Sequence, residues 1–233
     1  VAGKLYLIPV TLGGSNYNDL IPEGVLSVTR KLRHFIVEDE RSARRYLRLI
    51  DRTFPIDDSV FHILNEHTRE DETAQIMKDV IEGCDAGILS EAGMPGIADP
   101  GSAAVRFAHR NGIRVVPLSG PSSILLALVA SGLNGQSFRF RGYFPVKQPD
   151  KLRFLKEIEN DAKGGTTQIF METPYRSHYL SEFIIKNCSP EILLCIASEL
   201  SLPGESVKTR KISEWRRIEL SSEKRLTVFL LGY

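Results

Sequence analysis

A chain of 233 residues, 42% hydrophobic and 25% charged, holds enough apolar material for one large or two small cores, which excludes wholesale disorder. Thirty Lys+Arg against 29 Asp+Glu leave a formal charge of +1, so a nucleic-acid partner has to be met by a local basic patch. A neutral enzyme acting on a small substrate fits the same numbers.

Apolar runs rich in β-branched residues alternate with helix-period segments. Leu5 to Val10, Phe35 to Val37, Phe61 to Leu64, Ala86 to Leu89 and Arg114 to Leu118 read as buried strands. Amphipathic stretches lie between them: one after Pro22, then Ser42 to Arg52, Asp71 to Ile81 and Ser102 to Arg110. Gly83 and Gly112 follow the last two as helix C-caps. This alternation predicts an α/β fold with a mainly parallel sheet and helices on both faces. Beyond Leu118 the texture changes. The turn Ser119-Gly120-Pro121-Ser122-Ser123 leads into an apolar helix, Ile124 to Val129. Further strands are expected at Phe138 to Arg141, Thr167 to Met171, Ile192 to Ala197 and Leu226 to Leu231, with helices at Lys151 to Asn160 and Ser177 to Asn187. Glu205 to Glu219 reads as a strand or hairpin plus a short helix around Trp215. Two α/β domains are expected, residues 1–116 and 117–233.

Four of these strands run into a carboxylate. Val37 precedes Glu38-Asp39, Leu89-Ser90 precedes Glu91, Phe170-Met171 precedes Glu172, and Ala197-Ser198 precedes Glu199. Ligands of open parallel sheets bind beyond the carboxyl ends of the strands, where such groups can accept hydrogen bonds or a proton. The competing role for each is to cap the next helix, whose N-terminus favours negative charge. The four together favour a ligand-lined edge. Ser90-Glu91-Ala92-Gly93-Met94-Pro95-Gly96, followed by Asp99-Pro100-Gly101, is long for a β–α connection. Its glycines permit close backbone approach to a ligand.

Other chemistries lack their motifs. There is no G-x-G-x-x-G after the first strand, no P-loop, no H-E-x-x-H, no histidine–cysteine set at metal spacing and no G-x-S-x-G. Asn65-Glu66-His67 could edge a pocket. Cys84, Cys188 and Cys195 form no C-x-x-C pair, which suits a reducing cytoplasm. The longest apolar run, Ile124 to Ala130, is far shorter than the roughly 20 residues that span a bilayer. Val1-Ala2-Gly3-Lys4 lacks the order of a signal peptide and an initiator Met, and reads as a processed end. A cytoplasmic protein with no membrane partner and no metal is expected. Arg41, Arg44, Arg45 and Arg48, with Arg52, recur at helical spacing and would share one face. Such a stripe suits phosphate oxygens or is simply a solvated helix face.

In their order along the chain these motifs resemble the tetrapyrrole methylase superfamily, and within it the ribosomal small-subunit RNA methyltransferases that methylate a cytidine 2′-hydroxyl. Leu5-Tyr6-Leu7-Ile8-Pro9 resembles the family's first strand, Glu38-Asp39-Glu40-Arg41 its E-D-T-R, and Asn65-Glu66-His67 its N-E-H. Ser90 to Pro95 with Asp99-Pro100-Gly101 is similar to its S-D-A-G-T-P…D-P-G. Ile113 to Pro121, Gly142-Tyr143-Phe144-Pro145, Glu172 with Arg176, and Glu199-Leu200-Ser201 continue the likeness. The resemblance implies two α/β domains with a cofactor cleft between them, S-adenosyl-L-methionine as cofactor and a homodimer. It places the cofactor against Pro9, Val10, Glu91, Ala92, Gly93, Met94, Ser122, Ser123, Met171 and Ala197. Its RNA activity makes ribosomal RNA or the small ribosomal subunit the expected partner, with Arg41, Arg44, Arg45 and Arg48 as RNA contacts. A carboxylate near the ribose would assist proton loss, and Glu38, Asp39 and Glu199 are the candidates. Glu91 replaces the family's Asp, Met94 its Thr and Ser198 its Arg, while Leu202-Pro203-Gly204 stands where it has Lys. These departures bear on the substrate more than on the cofactor. Methylation of a small, tetrapyrrole-like molecule and a silent RNA- or nucleotide-binding module are the alternatives.

Overall fold

Five of the apolar runs form the strands of one sheet in the computed structural model, which describes residues 2–65 and 67–233. Val1 and Glu66 lie outside the described residues. The strands are β1 (Lys4–Ile8), β2 (His34–Val37), β3 (Val60–Ile63), β4 (Ala86–Leu89) and β5 (Arg114–Pro117), in the order β3-β2-β4-β1-β5. All neighbours are parallel. Alternation along β2 divides the core between two faces. Phe35 and Val37 pack with Val25 and Leu26 of α1 (Glu23–Lys31) and with Ala43, Tyr46, Leu47 and Ile50 of α2 (Glu40–Ile50). Ile36, with Leu5, Ala86 and Ile88, packs on the other side with Met77, with Val80 of α4 (Lys78–Ile81) and with Ala104 and Ala108 of α5 (Ser102–Arg110). The single helix expected over Asp71 to Ile81 is broken at the fully buried Met77, with α3 (Glu70–Ile76) before it and α4 after it. Gly83 and Gly112, at φ +113° and +66°, take the left-handed conformation that ends a helix.

The second sheet is built from β6 (Phe138–Tyr143), β7 (Thr167–Glu172), β8 (Leu193–Ser198), β9 (Ser206–Lys211) and β10 (Thr227–Gly232), ordered β6-β7-β10-β8-β9. The first sheet keeps the parallel pairing expected of its strands, whereas this one is mixed. β6 and β7 are parallel, but β10 is antiparallel to both β7 and β8, and β9 is antiparallel to β8. The connection over residues 199–205 is too short for a crossover and makes a hairpin. Phe170, Leu194 and Phe229 on one face pack with Leu155 and Ile158 of α7 (Asp150–Lys163) and Leu180 and Ile184 of α8 (Pro174–Asn187). Trp215, at the end of α9 (Ile212–Trp215), donates its indole N–H to the Leu194 carbonyl at 2.9 Å. On the opposite face, Thr209 donates its hydroxyl to the carbonyl of Ser131 at 2.7 Å, at the end of α6 (Ser123–Ser131).

The chain divides into two compact units, the first ending at Ser122 and the second beginning at Ser123. The division lies past the expected boundary because Pro117 still pairs with Leu7 and the Leu118 N–H still donates to the Leu7 carbonyl at 3.1 Å. No helix among the described residues is long and apolar enough to cross a membrane.

Candidate functional site

Parallel strands deliver their outgoing loops to one edge, and in the first unit three of these loops interlock. β1 and β4 are neighbours, and the Val10 N–H donates to the Gly93 carbonyl at 2.9 Å. The Ser90 hydroxyl donates to the same carbonyl at 3.1 Å. The turn after β5 closes on both. Gly120 lies so near Pro9 that a Cβ there would fall 2.2 Å from the proline ring, and a Cβ on Gly93 would stand 3.3 Å from the Pro121 carbonyl oxygen. From α2, the buried Tyr46 hydroxyl donates to the Pro9 carbonyl at 3.2 Å, and burial pushes its pKa up. Pro9, Val10, Gly93 and the turn leading to the buried Ser122 thus form one shelf of backbone and small side chains. Glu91 and Ala92 stand exposed on the loop and Met94 is half-buried.

Asp99, absent from the site residues expected from the sequence, organises that loop. Its Oδ1 accepts from the N–H groups of Gly96 at 2.7 Å and Gly101 at 2.8 Å. Gly93, Gly96 and Ala98 take positive φ values of 72°, 83° and 59° along the way. Oδ2 is buried with no partner among the described residues, and burial raises the carboxyl pKa against the pull of the two backbone bonds. The spacing D-P-G, an acceptor two residues before a glycine N–H, was the available signal. Glu38, Ser90, Asp99 and Gly101 line a crevice with about 10 Å³ of free space, room for about one water and far too little for an adenosyl group.

The strand-end carboxylates separate by role. Asp39 is the N-cap of α2, accepting from the Ser42 N–H at 2.7 Å, and the Ser42 hydroxyl together with this N–H holds its pKa low. Glu172 is buried, bonded by the Arg176 guanidinium at 2.6 Å and the Thr173 N–H at 2.7 Å. Both fill structural positions. Glu38 is exposed beside the crevice. Glu199 follows β8 at a left-handed φ of +52°, with Ser201 at +67°, and its carboxylate folds onto Gly204. Non-glycine residues held in that region mark strain of the kind that collects at functional sites.

In the second unit β10 brings together two positions far apart in sequence. Met171 and Ala197 both pair with Val228, so they flank it on one face of the sheet. One residue nearer the strand ends, the Ser198 and Thr227 hydroxyls are 3.1 Å apart. Ser123 begins α6.

The arginine stripe is real as geometry. Arg41, Arg44, Arg45 and Arg48 lie exposed on α2, opposite its buried Ala43, Tyr46, Leu47 and Ile50. Arg44 is partly engaged, by Glu40 at 2.5 Å and by the Phe61 ring with its guanidinium carbon 5.2 Å from the centroid. Arg48 donates to the Arg52 carbonyl at 2.8 Å. Arg52 itself falls beyond the helix. Asn65 spends its side-chain oxygen on the His67 N–H at 3.0 Å, a local turn.

Comparison with known proteins adds the context of relatives. Residues 4–215 match the family model for tetrapyrrole (corrin/porphyrin) methylases. The chain is 31% identical to ribosomal RNA small subunit methyltransferase I of Vibrio cholerae serotype O1 over 210 residues, 90% of this chain and 69% of that protein. It is 32% identical to the Streptococcus pyogenes serotype M6 protein of the same name, over 91% of this chain and 70% of that one. Among solved structures, the methyltransferase CobJ superposes with a TM-score of 0.65 at 18% identity, covering 99% of this chain and 94% of that one. Uroporphyrin-III C-methyltransferase of Thermus thermophilus, complexed with S-adenosylhomocysteine, superposes with a TM-score of 0.53 at 17% identity, covering 99% and 97%. At such identities the two structures establish likeness of fold.

Proposed function

The chain belongs to the tetrapyrrole (corrin/porphyrin) methylase family and is an S-adenosylmethionine-dependent methyltransferase, and from that premise we propose that it methylates the ribose 2′-hydroxyl of a cytidine in small-subunit ribosomal RNA. The observation that carries the reading at the site is the interlocked shelf of Pro9, Val10, Gly93 and the turn to Ser122. Its fit to the cofactor is chemical: a shelf of glycine backbone and small residues suits an adenosyl and amino-acid moiety, and Gly93, at its left-handed φ, lets the backbone pass close to Leu12 and the Pro121 oxygen with no side chain between. Bound there, S-adenosylmethionine supplies a methyl group on a sulfonium that a nucleophilic oxygen can take in line. The chain's contribution is to orient and to exclude water, which is what such a transfer chiefly requires. Glu91, Ala92, Met94, Ser123, Met171 and Ala197 are proposed as further contacts.

Glu38 and Glu199 are the proposed acceptors of the 2′-hydroxyl proton, Glu38 because it is exposed beside the shelf's own loops and Glu199 because of its strained strand-end placement. Asp39 is the weaker candidate, since its carboxylate already caps α2. The exposed arginines of α2 are proposed to meet RNA phosphates. A cytoplasmic homodimer completes the proposal, the dimer to be read from the mass of the purified protein in solution. The test of the activity incubates purified chain, labelled S-adenosylmethionine and small ribosomal subunits from cells lacking the gene. Label recovered as 2′-O-methylcytidine is the expected result. Label on a base, or none, overturns the substrate assignment. Calorimetric binding of the cofactor, measured alongside, tells a wrong substrate from an inactive preparation.

A further inference from the structure

A second constellation lies in the first unit, apart from the loops after the strands. His34 opens β2 and His62 lies within β3. Because Ile36 pairs with His62 and His34 with Val60, both imidazoles project from the sheet face covered by the second group of helices. Asp79, on α4, meets them there. Its Oδ2 is 2.9 Å from His34 Nδ1 and 3.0 Å from His62 Nε2, and all three donor atoms lie within 4.8 Å of one another. The side chains are 24%, 26% and 30% exposed, which buries them enough to be held and leaves them open to an ion from solvent.

We propose that His34, His62 and Asp79 form a binding site for a divalent zinc-like cation. Bonds of about 2.0–2.2 Å at tetrahedral angles put donor atoms about 3.3–3.5 Å apart, so the two separations from Asp79 need to open by a few tenths of an ångström, and the two histidine nitrogens, within 4.8 Å of each other, need to settle at the same spacing. Two neutral imidazole nitrogens and one carboxylate oxygen are donors that zinc accepts, whereas magnesium and calcium prefer all-oxygen sets. The fourth position would be taken by water, which the partial exposure of the three side chains admits. An ion here joins the edge strand β3, its neighbour β2 and helix α4 at one point, so the site is a clip on the exposed edge of the sheet. Binding takes the place of the N–H groups directed at Asp79, and each neutral imidazole then carries its proton on its other ring nitrogen.

The test uses the full chain, stripped with chelator and desalted, with Zn²⁺ and Co²⁺ as probes and Mg²⁺ as control. Expected are one Zn²⁺ retained per chain and a higher melting temperature with Zn²⁺ than with chelator or Mg²⁺. His34→Gln and His62→Gln are expected to lose the stoichiometric ion and the thermal shift, whereas His178→Gln keeps both. Co²⁺ gives a readout that needs no variant: ligand-field bands without a thiolate charge-transfer band. Failure of the parent chain to retain zinc overturns the site, as does equal uptake by the His34 and His62 variants. A thiolate band also overturns it, because it puts the ion on a cysteine such as Cys84.

Discussion

Gly93 belongs both to the fold and to the proposed site. A non-glycine residue at its φ of +72° costs about 1–2 kcal/mol in backbone strain. A Cβ there also crowds Leu12 Cδ2 at 3.2 Å and the Pro121 oxygen at 3.3 Å. The sequence suggests that a branched side chain at this position would block the cofactor's approach. The structure shows that even a methyl group disturbs the shelf itself. Gly93→Ala is expected to fold, to melt several degrees lower and to bind S-adenosylmethionine about tenfold more weakly, given a loss near 1.4 kcal/mol; calorimetry and a thermal melt read both. Asp99 makes a different prediction. Its pKa is raised in the fold, so the folded state holds the proton more tightly than the unfolded chain. That contribution is fully present below the unfolded value of about 4 and is lost as pH rises through the folded one. The stability of the parent relative to Asp99→Asn should therefore improve as pH falls toward that range. A difference between the two that stays flat with pH contradicts the assignment.

At the scale of elements, α2 carries two of the sequence-derived roles and sorts them. Asp39→Ala is expected to cost about 1 kcal/mol through the lost cap. Denaturant unfolding measures that loss, and the pH profile of kcat should keep its shape. A collapse of kcat without loss of stability would instead make Asp39 the base. The arginine face is tested by salt dependence. Replacing Arg41, Arg45 and Arg48 with Gln should weaken RNA binding and reduce the slope of log affinity against log salt by about 0.7–0.9 for each phosphate left unneutralised. Arg44→Gln should do less, because Glu40 and Phe61 already engage that side chain. Helices and strands with strong periodicity, such as Ser102 to Arg110 and Ala86 to Leu89, were legible to the residue because apolar spacing alone sets them. The break at Met77 and the antiparallel course of β10 were not. The first depends on burying one side chain and the second on a connection whose path no local pattern records.

For the molecule as a whole, the sequence made the strand-end loops legible because Gly, Pro and Asp announce their geometry locally. It left hidden what depends on register. Met171 and Ala197 become neighbours only because both pair with Val228, and His34, His62 and Asp79 meet only after three elements pack. The strand-end carboxylates were visible as a set, yet two of the four positions carry local structure, Asp39 as a cap and Glu172 as the partner of Arg176. Family membership supplies the chemistry, and the shelf is the place proposed for it. Mass spectrometry of small-subunit ribosomal RNA from cells with and without the gene tests the account most directly. The account predicts one cytidine carrying a ribose methyl group in the first and lacking it in the second, restored by the parent chain but only weakly by Gly93→Ala. Identical ribose methylation in both RNAs would contradict it.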